Sequence, residues 1–274
     1  MTLASTEEPR DERYLVPGLA RGLQILGCFS RQDRELTGAE LSRRLALPRA
    51  SVFRLLHTLE QMGFVERVAD SPAYKLSLGV LRLGFEFLAS MELTEHGRPI
   101  IEELRTQSGF SAHLVVRDGR EVVFVIKAAG ANAQFHSIQV GARLPAHATV
   151  LGRALLSGLD MAELRRLYPE EPLHAYTAKT PTTLAALKQL MDADRALGYG
   201  LSQGGYEAGI TTIAAPVLND QRRVVAAVSI TVPAQQLAND QVSPLAAMVR
   251  QAAEQLSQRL SQLMPAGGRP TTSF

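Results

Sequence analysis

Thr37-Gly38-Ala39-Glu40-Leu41-Ser42-Arg43-Arg44-Leu45-Ala46-Leu47-Pro48-Arg49-Ala50-Ser51-Val52-Phe53-Arg54-Leu55-Leu56-His57-Thr58-Leu59 reads as two short helices with a break between them. Thr37 and Glu40 have the spacing of a capping box, in which each side chain satisfies the other's backbone N–H. Leu41 and Leu45 give the first helix an inner face. Leu47-Pro48 interrupts the chain and restarts it, with Pro48 expected in the opening helical turn. Val52, Leu55, Leu56 and Leu59 then fall at i, i+3, i+4 and i+7, the apolar stripe of an amphipathic helix. Gly63 is expected to end it.

Working outward, Leu19, Leu23 and Leu26 mark an earlier helix that runs to about Phe29. After Gly63, two extended stretches, Phe64–Val68 and Ala73–Leu76, flank a turn at Ala69-Asp70-Ser71-Pro72. Three helices followed by a two-stranded ribbon make a winged helix-turn-helix. In that arrangement the third helix packs through its stripe and offers its other face to the major groove. Arg49, Ala50, Ser51 and Arg54 lie in its first two turns and are the candidate base readers, since Arg pairs bidentately with guanine O6 and N7. Arg43, Arg44 and Lys75 are the candidate phosphate contacts, which position without specifying. Between residues 37 and 58 those four arginines face one acid, Glu40, although the net charge of the chain is only +2. The basic character is therefore local, as a DNA-binding face requires.

Hydrophobic residues make up 46% of the 274 residues and charged residues 20%, the profile of a globular protein. No apolar run approaches the roughly 20 residues of a membrane span, and no secretory signal opens the chain. The one cysteine, Cys28, cannot form an internal disulfide, which suits a reducing cytoplasm. Residues 1–13 and 265–274 read as polar, disordered tails. Between them the expected divisions are a DNA-binding domain over 14–77, a linker helix over 78–90, and a second domain over 91–264. The linker helix is apolar on nearly every side through Leu81, Leu83, Phe85, Phe87 and Leu88, so a subunit interface is expected to bury it.

The second domain alternates helical patterns (Thr94–Gln107, Thr149–Ser157, Met161–Tyr168, Thr183–Ala196 and Pro244–Leu263) with strands. Asp118-Gly119 between Ser111–Val116 and Glu121–Lys127 signals a hairpin. Thr211–Leu218 and Val224–Val232, joined through Asn219-Asp220, form another. The class is α+β with an antiparallel-rich sheet. Ser229 and Thr231 sit two apart on one face of an otherwise apolar strand, and Thr212 interrupts its neighbour similarly. Such hydroxyls either pair across strands or are the few placed polar groups of a mainly apolar ligand pocket. His147, ahead of the helix at Thr149, is expected to make a structural hydrogen bond.

An enzyme reading finds no His-Glu-x-x-His, no paired cysteine and no P-loop. Gly198-Tyr199-Gly200 follows a helix and precedes a strand, the reverse of a dinucleotide site. No cofactor or metal is expected.

Gly18-Leu19-Ala20-Arg21-Gly22-Leu23-Gln24-Ile25-Leu26 together with Leu47–Leu59 resembles the N-terminal domain of the IclR family of bacterial transcriptional regulators. Val140-Gly141-Ala142-Arg143-Leu144-Pro145-Ala146-His147-Ala148-Thr149 and Glu207-Ala208-Gly209-Ile210-Thr211-Thr212-Ile213-Ala214-Ala215-Pro216-Val217 are similar to its C-terminal half, and the likeness runs over residues 15–262. The resemblance implies a winged helix-turn-helix, a linker helix and a GAF-like α/β effector-binding domain. It implies a homodimer or dimer of dimers on a pseudo-palindromic DNA operator. It also implies repression or activation of genes for organic-acid or aromatic catabolism or efflux, in answer to a small organic effector. The effector contacts it implies are Thr149, Val150, Ser202, Thr212, Ser229 and Thr231. Members that bind short oxo-acids carry an acid at the position of Ser202 and a cysteine at that of Thr212, and this chain departs at both. The alternative is a DNA-binding regulator controlled through protein partners without a small-molecule effector.

Overall fold

A computed structural model of the chain describes residues 14–30, 32–90, 92–130 and 138–263. The expected tails, 1–13 and 265–274, lie outside the described residues. The chain divides into two compact units, residues 1–90 and 91–274.

In the first unit, α1 (Pro17–Gly27), α2 (Gly38–Leu45) and α3 (Arg49–Gln61) precede β2 (Val65–Arg67) and β3 (Ala73–Leu76). A two-residue strand, β1 (Leu36–Thr37), pairs with β3, so the wing is three-stranded in the order β1-β3-β2. The capping box of α2 is formed: Thr37 Oγ1 accepts from the Glu40 N–H at 3.2 Å, and Glu40 Oε2 accepts from the Thr37 N–H at 2.9 Å. Pro48 caps α3 from outside rather than opening its first turn. The core is Ile25, Leu36, Leu41, Val52, Leu56, Leu59, Val65 and Tyr74, with Leu45 and Leu55 packed at its margin. In α1 the leucine stripe is not the inner face: Gly22 and Ile25 are buried, while Leu19 and Leu23 are 64% and 59% exposed. The unit closes with α4 (Gly79–Ser90), whose Leu81 and Leu83 are exposed; the side chains of 85–90 lie outside the described set.

The second unit is built on a six-stranded, wholly antiparallel sheet, β6-β5-β4-β9-β8-β7. Its strands are β4 (Ser111–Asp118), β5 (Glu121–Ala128), β6 (Arg143–Pro145), β7 (Gly200–Gln203), β8 (Ile210–Leu218) and β9 (Val224–Pro233). Asp118 pairs with Glu121, so the first hairpin turns on Gly119 and Arg120. Helices α5 (Glu92–Ser108) and α9 (Val242–Leu263) cover one face: Gly97 lies against Leu114 and Ile126, and the Leu218 N–H donates to Ser257 Oγ at 2.9 Å. Helices α6 (Val150–Leu156), α7 (Met161–Leu167) and α8 (Leu184–Leu197) serve the other, around Val115, Phe124, Ala214 and Ala227. Gly152 sets the seat of α6, since a Cβ there would lie 1.9 Å from the Ala146 carbonyl oxygen.

Candidate nucleic-acid interface and ligand cavity

Because Val52, Leu56 and Leu59 are drawn into the core, the remaining face of α3 points outward. Arg49, Ala50 and Arg54 are exposed on it, and Ser51 is half-buried. Arg43 is exposed at the end of α2. None of Arg43, Arg49 and Arg54 has an ion-pair partner among the described residues. The two other basic candidates are engaged within the unit: Arg44 binds Asp33 at 2.7 Å and Lys75 binds Glu66 at 3.0 Å. The Arg44 guanidinium, by its hydrogen bond, holds the Asp33 carboxyl below its ordinary pKa. Phe53, which the base-reader expectation omits, is 60% exposed on the same face as Arg49 and Arg54. The signal was present, for Phe53 falls off the apolar stripe, and an outward aromatic can meet a thymine methyl.

In the second unit, register brings hydroxyls into line. Ser202 on β7 is opposite Thr212 on β8, Thr212 is opposite Thr231 on β9, and Thr231 is opposite Ser111 on β4. Directly opposed residues share a face, so one row of hydroxyls crosses four strands. The next row runs Ala214, Ser229, His113. Thr149, Val150, Ser202, Thr212 and Thr231 line a cavity of about 40 Å³, with Phe124, Ile138, Leu144, Leu151 and Ile210 as its apolar wall and Gly205, Tyr206 and Glu207 completing it. Ser229 is fully buried but is not in that wall, and its Oγ has no hydrogen-bond partner among the described residues.

Two wall hydroxyls already have local work. Thr149 Oγ1 caps α6 by accepting from the Gly152 N–H at 3.0 Å, and Ser202 Oγ accepts from the Gly205 N–H at 3.2 Å. Thr212 and Thr231 make no side-chain hydrogen bond among the described residues. His147 Nε2 lies 2.9 Å from the His174 carbonyl oxygen, and its ring meets Tyr168 edge-on at 5.9 Å. Burial pushes the Tyr168 hydroxyl up to about 12. No helix among the described residues is long and apolar enough to cross a membrane, and no described cluster could hold a metal ion.

A model of the bacterial transcriptional regulator IclR C-terminal domain matches residues 85–258, and a model of the IclR helix-turn-helix domain matches residues 18–69. The chain belongs to the IclR family of transcriptional regulators. Among IclR-family relatives, the HTH-type transcriptional regulator XynR of Escherichia coli (strain K12) is 31% identical over 90% of this chain and 98% of its own. The Pca regulon regulatory protein of Pseudomonas putida is 31% identical over 78% of this chain and 73% of its own. The crystal structure of an IclR homolog from Microbacterium hydrocarbonoxydans complexed with 4-hydroxybenzoate superposes with a TM-score of 0.78 at 27% identity, covering 89% of this chain and 98% of that one. Relatives of this IclR-family chain are named as regulators of transcription, and a winged helix-turn-helix followed by an α/β domain is the family architecture it shares.

Proposed function

We propose that this chain is a ligand-responsive regulator that binds a pseudo-palindromic DNA operator as a homodimer or dimer of dimers. It acts in the cytoplasm, without enzymatic turnover, on genes for organic-acid or aromatic catabolism or efflux. The DNA-binding domain spans 14–77, the linker helix 78–90 and the effector-binding domain 91–264. Arg49, Ala50, Ser51 and Arg54 read base edges, and Arg43, Arg44 and Lys75 hold phosphates. Arg44 and Lys75 exchange Asp33 and Glu66 for phosphate oxygens on binding. The effector occupies the cavity against Thr149, Val150, Ser202, Thr212 and Thr231, with Ser229 behind them. The observation that carries this reading is the alignment of Ser202, Thr212 and Thr231 across three strands, with two of those hydroxyls unpaired among the described residues and lining a cavity. An apolar pocket with a few placed polar groups is what a small-molecule site requires.

The test is fluorescence anisotropy of the full chain on the DNA upstream of its own gene, with and without 4-hydroxybenzoate and a panel of aliphatic and aromatic carboxylates. We expect sequence-preferring binding that at least one compound shifts. Binding with no preference over scrambled DNA would refute the regulator reading. A second reading, control through a protein partner, is favoured by the small volume of the cavity, about 40 Å³. It predicts that no panel compound raises the melting temperature, because only a ligand of the folded state stabilises by mass action.

A further inference from the structure

Part of the cavity wall is a loop rather than a strand, and that loop is clamped from outside the cavity. Thr180, almost fully buried, donates through Oγ1 to the Gly205 carbonyl oxygen at 2.7 Å and accepts from the Thr177 N–H at 2.9 Å. Thr177 Oγ1 lies 2.9 Å from the Gly204 carbonyl oxygen, and Lys179 Nζ donates to that of Gln203 at 2.9 Å. The same outer segment carries Tyr176, whose ring meets the ring of Tyr206 at 5.0 Å and 48°, and His174 stands edge-on against Tyr176 at 4.7 Å. So Tyr206 has both its backbone attachment and one side of its ring fixed, while it also lines the cavity.

The cavity volume of about 40 Å³ sets a condition on any occupant. A cavity of roughly 150 Å³ is one that takes benzene, so a ring-bearing ligand has little room to spare here. The strands and α6 are pinned by ladders and by the Arg153–Asp194 ion pair. The loop is bracketed by Gly204 and Gly209, with φ of 78° and 81° in the left-handed region. Loop, strands and α6 are thus all held, and a thin ligand asks for the least displacement of this clamped wall. Phe124 is the other aromatic residue of the cavity lining. Aromatic pairs contribute beyond the area they bury, so two rings in one narrow wall discriminate between a flat ring and a puckered one of equal size.

Resting on the effector reading above, we propose that Tyr206 is a specificity-determining residue of the cavity, selecting ligands that carry a flat unsaturated ring, and that Thr180 positions it. The matched probes are benzoate and cyclohexanecarboxylate, titrated calorimetrically into the full-length protein. Both are ring carboxylates, and only one ring is flat. Wild type should prefer benzoate by about fivefold, the size of one aromatic pair. Tyr206→Leu should bring the ratio close to one and Tyr206→Phe should keep it. Thr180→Val, which keeps shape but removes the hydroxyl, should narrow the ratio, and Thr180→Ser should restore it. A role in folding alone would lower both affinities together and leave the ratio where it was. Equal wild-type affinities, or a ratio unmoved by Tyr206→Leu, would overturn the proposal while leaving the effector reading intact. Absence of binding by both ring acids, with an open-chain carboxylate still shifting the DNA complex, would overturn it too. If Tyr206→Leu fails to fold by circular dichroism, the Thr180→Val and Thr180→Ser pair decides.

Discussion

Arg153 and Asp194 form a nearly buried ion pair that ties α6 to α8, with Nε 2.6 Å from Oδ2 and side chains 7% and 16% exposed. The guanidinium also donates through a terminal nitrogen to the Leu201 carbonyl oxygen at 3.0 Å, which fastens β7 to the same point. Gly200 makes room for the arrangement, since a Cβ there would lie 2.7 Å from Asp194 Oδ2 and 2.5 Å from Val150 Cγ2. One charged contact therefore fixes two walls of the cavity, Val150 on α6 and Ser202 on β7.

Removing the acid should leave a guanidinium buried with only a carbonyl for company. Breaking one half of a buried pair costs about 3–5 kcal/mol, so Asp194→Ala should lower the unfolding free energy by that order in urea titration. Asp194→Asn, which keeps an acceptor oxygen, should cost less. A loss within about 1 kcal/mol for Asp194→Ala, the range of a solvated surface pair, would show that the pair holds nothing in place.

Some of this architecture was readable locally and some was not. The capping box of α2 and the stripe of α3 are short-range patterns, and both form as the spacing implies. The leucine stripe of α1 misdirects, because periodicity reports an apolar face without saying what covers it; in this chain Ile25 and Gly22 pack and Leu19 stays out. Strands β1, β6 and β7 are two to four residues long, too short for alternation to declare itself. Thr212, Ser229 and Thr231 stand out in the sequence as hydroxyls in apolar runs. The alignment of Thr212 and Thr231 with Ser202 depends on strand register, and the clamp of Thr177, Lys179 and Thr180 joins segments 24 to 28 positions apart. Neither is a property of any local window.

On DNA, Arg54 and Arg43 should separate cleanly. Both are exposed and without an ion-pair partner among the described residues. Arg54→Ala should cost about 1–3 kcal/mol on the operator and relax sequence preference, as expected for a base-edge contact. Arg43→Ala should weaken all sequences alike and flatten the salt dependence, because it removes a released counterion. Anisotropy at several salt concentrations on operator and scrambled duplexes checks both. An Arg54→Ala protein that kept full operator preference would show that α3 does not read the groove through this residue.

Assembly is tested at α4. Leu78, just before α4, and Leu81 and Leu83 on two sides of it are 77%, 52% and 59% exposed in the single chain, apolar surface that a two-fold partner would cover. Leu81→Asp should shift sedimentation equilibrium toward monomer with helix content unchanged, since the position is exposed and the fold does not need its side chain. Operator affinity should fall with it, because two half-sites are then no longer held at one spacing. A wild-type chain that sediments as a monomer at micromolar concentration removes the premise.

Ser229 offers the sharpest contrast between stability and function. Its hydroxyl is fully buried without a partner among the described residues, between Ala214 and His113 in the row beneath Thr212 and Thr231. An unsatisfied buried hydroxyl costs about 1–3 kcal/mol, and Ala fits the same space with one atom fewer. Ser229→Ala should therefore leave the ligand-free protein as stable as wild type or more so, by up to that amount, in thermal or urea unfolding. A residue retained against stability is expected to repay it in another state, here when an effector or a water it carries gives the hydroxyl its partner. The same variant should then respond more weakly to effector while its operator affinity without effector is nearly unchanged, since a ligand shifts an equilibrium only by its differential affinity for the two states. If Ser229→Ala instead melts lower and responds to effector normally, the hydroxyl has a partner in the ligand-free fold, and its role is packing rather than recognition.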